Sequence, residues 1–452
     1  MAQARLMFSG GAMLARHLIE SGFKVAIRSA GGGCCSPGTE RSFRKIDFLL
    51  KAHSDELEKM TPEEAESFIR KITSENDVEK VKLPLELDLV FDGWEICMPL
   101  HRGIKLSENQ YKKAKRIFEK AMKLNRDNAD AYNGLGFLFL WQTENFDKAE
   151  EMYKVALVKA AKQLGHESVD EVCKCDVCKD SMWETVETRP FMRALEGLGW
   201  ACFKQDKLEA ALENFNMMLK LNPDDNQGAR YMIGSILLKL GMNKEAIRFY
   251  KIFWKDDIEP SVKFNFALAL FLKKRIKKAA TVLRLGFFSN IYIAPILIGM
   301  CSIPVPKPER QGNKLVVKDS EIIEVVNKLV EVIRNIKKKE TELNIPVSSF
   351  YPEDLDIWYY FDTERLSYAE WYCELFGDIW SRYPEALEFL KKLWYHPHVA
   401  EEVKSFIDLR RRIKNAQEDE KIKLHKVEKR LIDISRIQST WFKIASILEK
   451  EK

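Results

Sequence analysis

The chain is 452 residues long, with 46% hydrophobic and 31% charged residues, 15 prolines and 21 glycines. That balance excludes a disordered or collagen-like chain and leaves room for several domains or one continuous array. The 73 basic and 68 acidic residues interleave to a net charge of +5, which argues against a dedicated nucleic-acid protein, and no apolar run is long enough for a membrane span.

Residues 1–40 are rich in Gly, Ala, Ser and Arg, with Glu20 the lone acid before Gly38. They read as a flexible N-terminal extension, and a basic, acid-poor stretch also fits an organelle transit segment. Residues 41–86 read as short helices. Thr61-Pro62-Glu63-Glu64 is a start signal: a capping Thr, Pro at the first helical position and acids in the first turn.

Residues 87–300 carry the strongest signal. Ala114, Phe118, Ala121 is followed by Ala149, Tyr153, Ala156, then Ala211, Phe215, Met218, then Ala246, Tyr250, Phe253, then Ala279, Leu283, Gly286. Successive first members lie 35, 62, 35 and 33 residues apart. Self-similarity of this length predicts a solenoid of about five helix pairs, the doubled interval marking an insertion at 157–190. Within a unit, Leu195, Leu198, Gly199 and Cys202 share one face of a first helix, and Ala211, Phe215 and Met218 face back from a second. Gly199 and Ala211 let the pair approach closely, and Asp225 or Asn226 is placed to cap the next helix.

Residues 301–320, with Pro304, Pro306 and Pro308, read as a linker. Residues 321–398 read as further helices closing the array, first by the Ile322, Val325, Val326, Leu329, Val332, Ile333 stripe. Trp358, Tyr359, Tyr360, Phe361, Trp371, Tyr372 and Trp380 follow in an aromatic segment suited to packing on the solenoid end. Residues 399–452 read as a charged amphipathic tail. Its seam of Leu424, Val427, Leu431, Ile434, Ile437, Trp441, Ile444 and Leu448 suits self-association.

The repeat register resembles the tetratricopeptide repeat, most specifically at 129–160, 191–224 and 226–257 and more weakly at 95–127 and 261–288. Thr188-Arg189-Pro190-Phe191-Met192-Arg193-Ala194 and Leu221-Asn222-Pro223-Asp224-Asp225-Asn226-Gln227 resemble bacterial tetratricopeptide proteins similar to the suppressor-of-tumorigenicity family. The resemblance implies an all-α, right-handed superhelical solenoid of tetratricopeptide-type helix pairs with extra C-terminal helices. It also implies a non-catalytic scaffold that binds a partner protein or peptide in its concave groove.

First helices line the concave face of such a solenoid, so the register nominates Asn133, Phe137, Arg193, Glu196, Trp200, Lys204, Tyr231, Lys239, Phe264 and Asn265 as groove residues. The Lys and Asn set that clamps a C-terminal carboxylate in some tetratricopeptide proteins is absent. Walker, nucleophile-elbow and HExxH motifs are absent as well, and no enzyme is expected.

Cys173, Cys175 and Cys178 are the sharpest chemical cluster. Three thiolates at this spacing can converge on Zn²⁺ with a fourth donor such as His166 or Cys202; the alternatives are reduced, unligated thiols or a redox role. Nine scattered cysteines fit a reducing compartment such as the cytoplasm. A zinc- or redox-responsive interaction module and an RNA-associated protein are the competing functions.

Overall fold

Helix starts in the N-terminal half are written into the sequence as side-chain caps. Thr61 and Ser107 form reciprocal capping boxes with Glu64 and Gln110, while Asn128 and Asn145 accept from the third helical N–H. Asp225 accepts from the backbone N–H groups of Ala229 (2.6 Å) and Arg230 (3.0 Å), as its place before a helix predicts. The computed structural model describes residues 37–299 with short breaks at 58, 74, 102–103, 176–181, 184–185, 256 and 258. Beyond these it describes the pairs 310–311 and 314–315, residues 363–432, residue 441 and residues 443–446. The 301–309 and 316–362 stretches, with the helix expected over 320–341 from the Ile322 to Ile333 stripe and Trp358–Phe361, lie outside the described residues, as does most of 433–452.

The chain divides into two units, Met1–Ile233 and Gly234–Lys452. In the first, α1 (Pro37–Ala52), α2 (Ser54–Leu57), α3 (Pro62–Ile72) and α4 (Glu75–Lys80) precede the repeats. The extension expected over 1–40 is corrected at its end, where Pro37 to Glu40 are the first turn of α1 and Glu40 is buried; residues 1–36 lie outside the described residues. Three helix hairpins follow. They are α5 (Leu85–His101) with α6 (Glu108–Leu124), α7 (Ala129–Phe137) with α8 (Phe146–Gln163), and α10 (Arg189–Lys204) with α11 (Leu208–Leu221). The short α9 (Val169–Lys174) lies between the last two. Helix α8 runs to Gln163, well into the stretch expected as insertion.

The hairpins are locked by one device. Each second helix carries a buried aromatic whose ring lies on glycines of first helices. Phe118 lies against Gly93 and Gly134, Tyr153 against Gly136 and Gly197, and Phe215 against Gly199. Phe118 and Tyr153 thus touch the first helix of their own hairpin and that of the next. The alanines and aromatics of the register are core: Ala114, Phe118, Ala121, Ala149, Ala156 and Ala211 are all 0% exposed. A π-helical turn at Leu138–Gln142 extends α7 and absorbs one extra residue.

In the second unit the repeats continue through the C-terminal half of α12 (Ala229–Lys239), α13 (Asn243–Tyr250), α14 (Pro260–Leu272), α15 (Ile276–Ser289) and α16 (Ile293–Gly299). Tyr250 lies against Gly234 as Phe215 does against Gly199. The turn between first and second helix holds one left-handed residue in four hairpins: Glu144 (φ 54°), Asp206 (φ 58°), Gly241 (φ 72°) and Lys274 (φ 57°). A two-residue antiparallel pairing joins β1 (Arg310–Gln311) and β2 (Lys314–Leu315).

Among the described residues four longer helices follow: α17 (Thr363–Ser381), α18 (Pro384–Trp394), α19 (Pro397–Asn415) and α20 (Glu418–Ile432). As the sequence suggests, Tyr372 and Trp380 pack inside, against Phe264. The tail departs from expectation. Instead of one helix with an open seam, α19 and α20 fold on each other through Leu409, Ile413, Leu424 and Leu431, and Trp441 is 1% exposed. Of the seam, Leu424, Leu431 and Trp441 are packed within the chain, while Val427 is 43% exposed. No single described helix is long and apolar enough to cross a membrane; α15 with α16 passes that test only as a pair bent by 109°.

Candidate functional site

First helices present a common face, and the structure shows what lies on it. In the first unit, Arg193 of α10 grips two carboxylates. Its guanidinium donates to Glu40 of α1 at 2.9 and 3.0 Å and to Asp130 of α7 at 3.0 and 2.5 Å. Burial opposes its charge, but Asp130 and Glu40 outweigh that and raise its pKa. Asn133 is fully buried and donates to Asp130 (3.0 Å) and to the Pro190 carbonyl (2.8 Å). Phe137 is buried, stacked on His101 at 4.5 Å with Trp94 edge-on at 5.3 Å.

In the second unit, Phe264 and Asn265 are 0% exposed. Asn265 accepts from the Tyr372 hydroxyl (2.7 Å) and donates to Ser235 (2.9 Å), while the Trp380 indole donates to Tyr372 (3.0 Å). Lys239 is paired with Asp378 at 2.7 Å. Four nominated groove residues, Asn133, Phe137, Phe264 and Asn265, are therefore corrected as buried, while Arg193 and Lys239 keep partial exposure with their charges paired to the chain's own carboxylates. The register placed them on first helices, but segments distant in sequence lie over those positions.

The other four nominated residues stay half-exposed: Glu196, Trp200, Lys204 and Tyr231. Trp200 meets Trp141 edge-on at 5.4 Å and also leans on Phe203 and Phe215, at 5.9 and 6.1 Å. The Lys204 ammonium lies over the Trp141 ring at 5.8 Å, and Arg230 over Tyr231 at 5.1 Å. Trp141 was missed by the register because it falls in the π turn, where counting back from Ala149 is off by one.

Glu196 accepts from Gln227 at 2.6 Å. Burial pushes its pKa up to about 7, with Gln227 and Arg193 pulling it down and Asp225 adding to the rise. A carboxyl raised in this way favours folding below about 4.5, its ordinary value, and that contribution is lost as pH climbs through about 7. Glu196→Gln is therefore expected to raise Tm at pH 8 and leave it nearly unchanged at pH 4. Thermal melts at the two pH values check this; an equal shift at both would refute the titration.

Cys173 is buried on α9 and Cys175 half-buried just after it, while Cys178 lies outside the described residues. Among the described residues no three His, Cys, Asp or Glu side chains cluster to hold a metal. Burial raises the thiol pKa of both Cys173 and Cys202, the latter only 3% exposed in α10, which disfavours the reactive thiolate.

Residues 105–165 and 228–251 match the tetratricopeptide repeat family, the first spanning α6 to α8 and the second α12 and α13. Together with aromatics seated on glycines at the repeat interval, this decides the assignment. The chain carries tetratricopeptide repeats. No curated protein matches it. Among solved structures it is similar to YrrB, a tetratricopeptide protein with an unusual peptide-binding site. The two are 19% identical over 49% of this chain and 92% of that one, with a TM-score of 0.32, a likeness too slight to add to the assignment. The matches cover tetratricopeptide repeats in general and leave the narrower likeness to the suppressor-of-tumorigenicity relatives as a resemblance.

Proposed function

We propose that this tetratricopeptide-repeat protein is a non-catalytic scaffold that takes a partner peptide or protein on the face of its first helices. The observation that carries the reading is the half-exposed group of Trp141, Trp200 and Lys204. Two indoles from successive first helices stand edge to face, with a cation over one of them. Aromatic side chains flanked by a flexible base supply large apolar area together with a polar handle, and such anchors carry most of an interface's energy.

The test is affinity capture with the full chain, followed by identification of what binds. Trp200→Ala is expected to weaken capture of a specific partner by about thirtyfold, corresponding to ~2 kcal/mol, with helicity by circular dichroism unchanged. Because Trp200 also leans on Phe215, Lys204→Glu serves as a second variant that leaves the aromatic packing intact. Capture that survives both changes would move the partner surface elsewhere.

A further inference from the structure

Helices α1 and α17 both lie on first-helix faces, each within its own unit, but they are held by different physics. Helix α17 is fixed by apolar packing: Tyr372, Phe376 and Trp380 are 0%, 1% and 1% exposed, and Phe264 beneath them is 0% exposed. Helix α1 is fixed by charge. Glu40 pairs with Arg193. Arg41 donates to Asp92 at 2.5 Å and to the Asp88 carbonyl at 3.1 Å, with Glu95 at 3.7 Å and the Phe91 ring 5.6 Å below. Arg44 donates to the Val186 carbonyl at 3.0 Å, Lys51 reaches Glu187 at 2.8 Å, and Phe43 lies under the Arg189 guanidinium at 5.8 Å.

Three features make this attachment the weaker of the two. The acids facing Arg41 are 41% to 49% exposed, so water and salt screen them. Two of the three buried residues of α1, Glu40 and Asp47, are acids. The apolar end of α1, at Leu50, joins a small cluster with Leu57, Met60, Phe68 and Ile69, separate from the repeat core around Trp94, Phe118 and Leu135. Yet the main grip is on the repeats. Asp130 and Arg193 hold equivalent places in successive first helices, and Glu40 closes on that pair.

We propose that α1 is a tethered, displaceable occupant of the first-helix face, and that the ligand this face takes is a helix of the same chemistry. Such a helix carries a Glu-Arg pair for Arg193 and the Asp88, Asp92, Glu95 cluster, followed within a turn by Phe and Arg for Arg189 and the Val186–Glu187 carbonyl and carboxylate. This rests on the scaffold reading above and names the mode of ligand it selects. With α1 seated, the face is closed to such a helix; a competitor in trans must outdo a segment held in place by its own chain, at high effective concentration.

A labelled peptide of residues 37–52 serves as the ligand probe, read by fluorescence anisotropy against the full chain at low salt. The full-length variant Glu40→Ala/Arg41→Ala/Arg44→Ala is expected to bind this peptide at least tenfold more tightly than the wild-type chain. A peptide with Glu40→Arg and Arg41→Glu is expected not to bind. Hydrogen exchange supplies a second reading: amides of residues 37–52 should exchange faster in the variant, while those of α7, α8 and α10 keep their protection. Equal binding by variant and wild type, binding of the charge-swapped peptide, absence of binding to either chain, or loss of protection across the repeats would each overturn the proposal. None of these readings uses a partner protein, so they stand or fall independently of the Trp200 capture experiment.

Discussion

Alanine at Gly197 is expected to destabilise the repeats by a net ~2 kcal/mol. A Cβ there would come within 2.1 Å of the Tyr153 ring, which is 3% exposed and seated between α7 and α10. Overpacking of a close-packed contact typically costs about 1–3 kcal/mol, and an approach this short belongs at the upper end. Replacing a mid-helix glycine with alanine returns only about 1 kcal/mol of helix propensity, so the clash wins. Gly199 is the internal control. A Cβ there would meet Phe215 at 3.0 Å, where a few tenths of an ångström of yielding suffices, and Gly199→Ala is expected to be nearly neutral. Urea unfolding of both variants checks the ordering. Equal stability of the two would show that Tyr153 does not seat on α10.

Arg193→Met is expected to cost more, about 3–5 kcal/mol, because it leaves buried carboxylates without their counter-charge. Glu40 and Asp130 are 6% and 7% exposed, and the one guanidinium meets both. Glu40→Gln should cost much less, since Arg193 then still pairs with Asp130. Chemical denaturation of the two variants separates them. A Met variant as stable as the Gln variant would mean that the Asp130 carboxylate finds another partner or reaches water.

The repeat was legible because its cause is local. Spacing the residues Ala149, Tyr153 and Ala156 along one helix puts them on one stripe, and a stripe of small and aromatic residues has to bury itself. The same reasoning found Gly199, which faces an aromatic of its own hairpin, and passed over Gly197, which faces an aromatic of the preceding one. The occupied faces were not legible for the same reason taken further. Glu40 lies 153 positions from Arg193, and Asn265 lies 107 from Tyr372. No periodicity connects such pairs, and each residue alone reads as an ordinary exposed polar group. The tail seam was read correctly as apolar, but its partner, the Leu409 and Ile413 stripe of α19, was not evident from the seam itself.

The left-handed residue in four of the hairpin turns gives the protein an uneven endowment of local stress. Gly241 adopts φ 72° without a Cβ penalty, whereas Glu144 and Lys274 hold φ 54° and 57° with full side chains. Left-handed backbone costs a side-chain-bearing residue about 1–2 kcal/mol. In a repeat architecture, where energies sum over nearest neighbours, such costs are not diluted through a common core; they stay with the hairpin that incurs them. The Glu144 and Lys274 turns are thus the seams at which heat or force should first open this chain, and the glycine the Gly241 hairpin already uses marks how such a seam is mended.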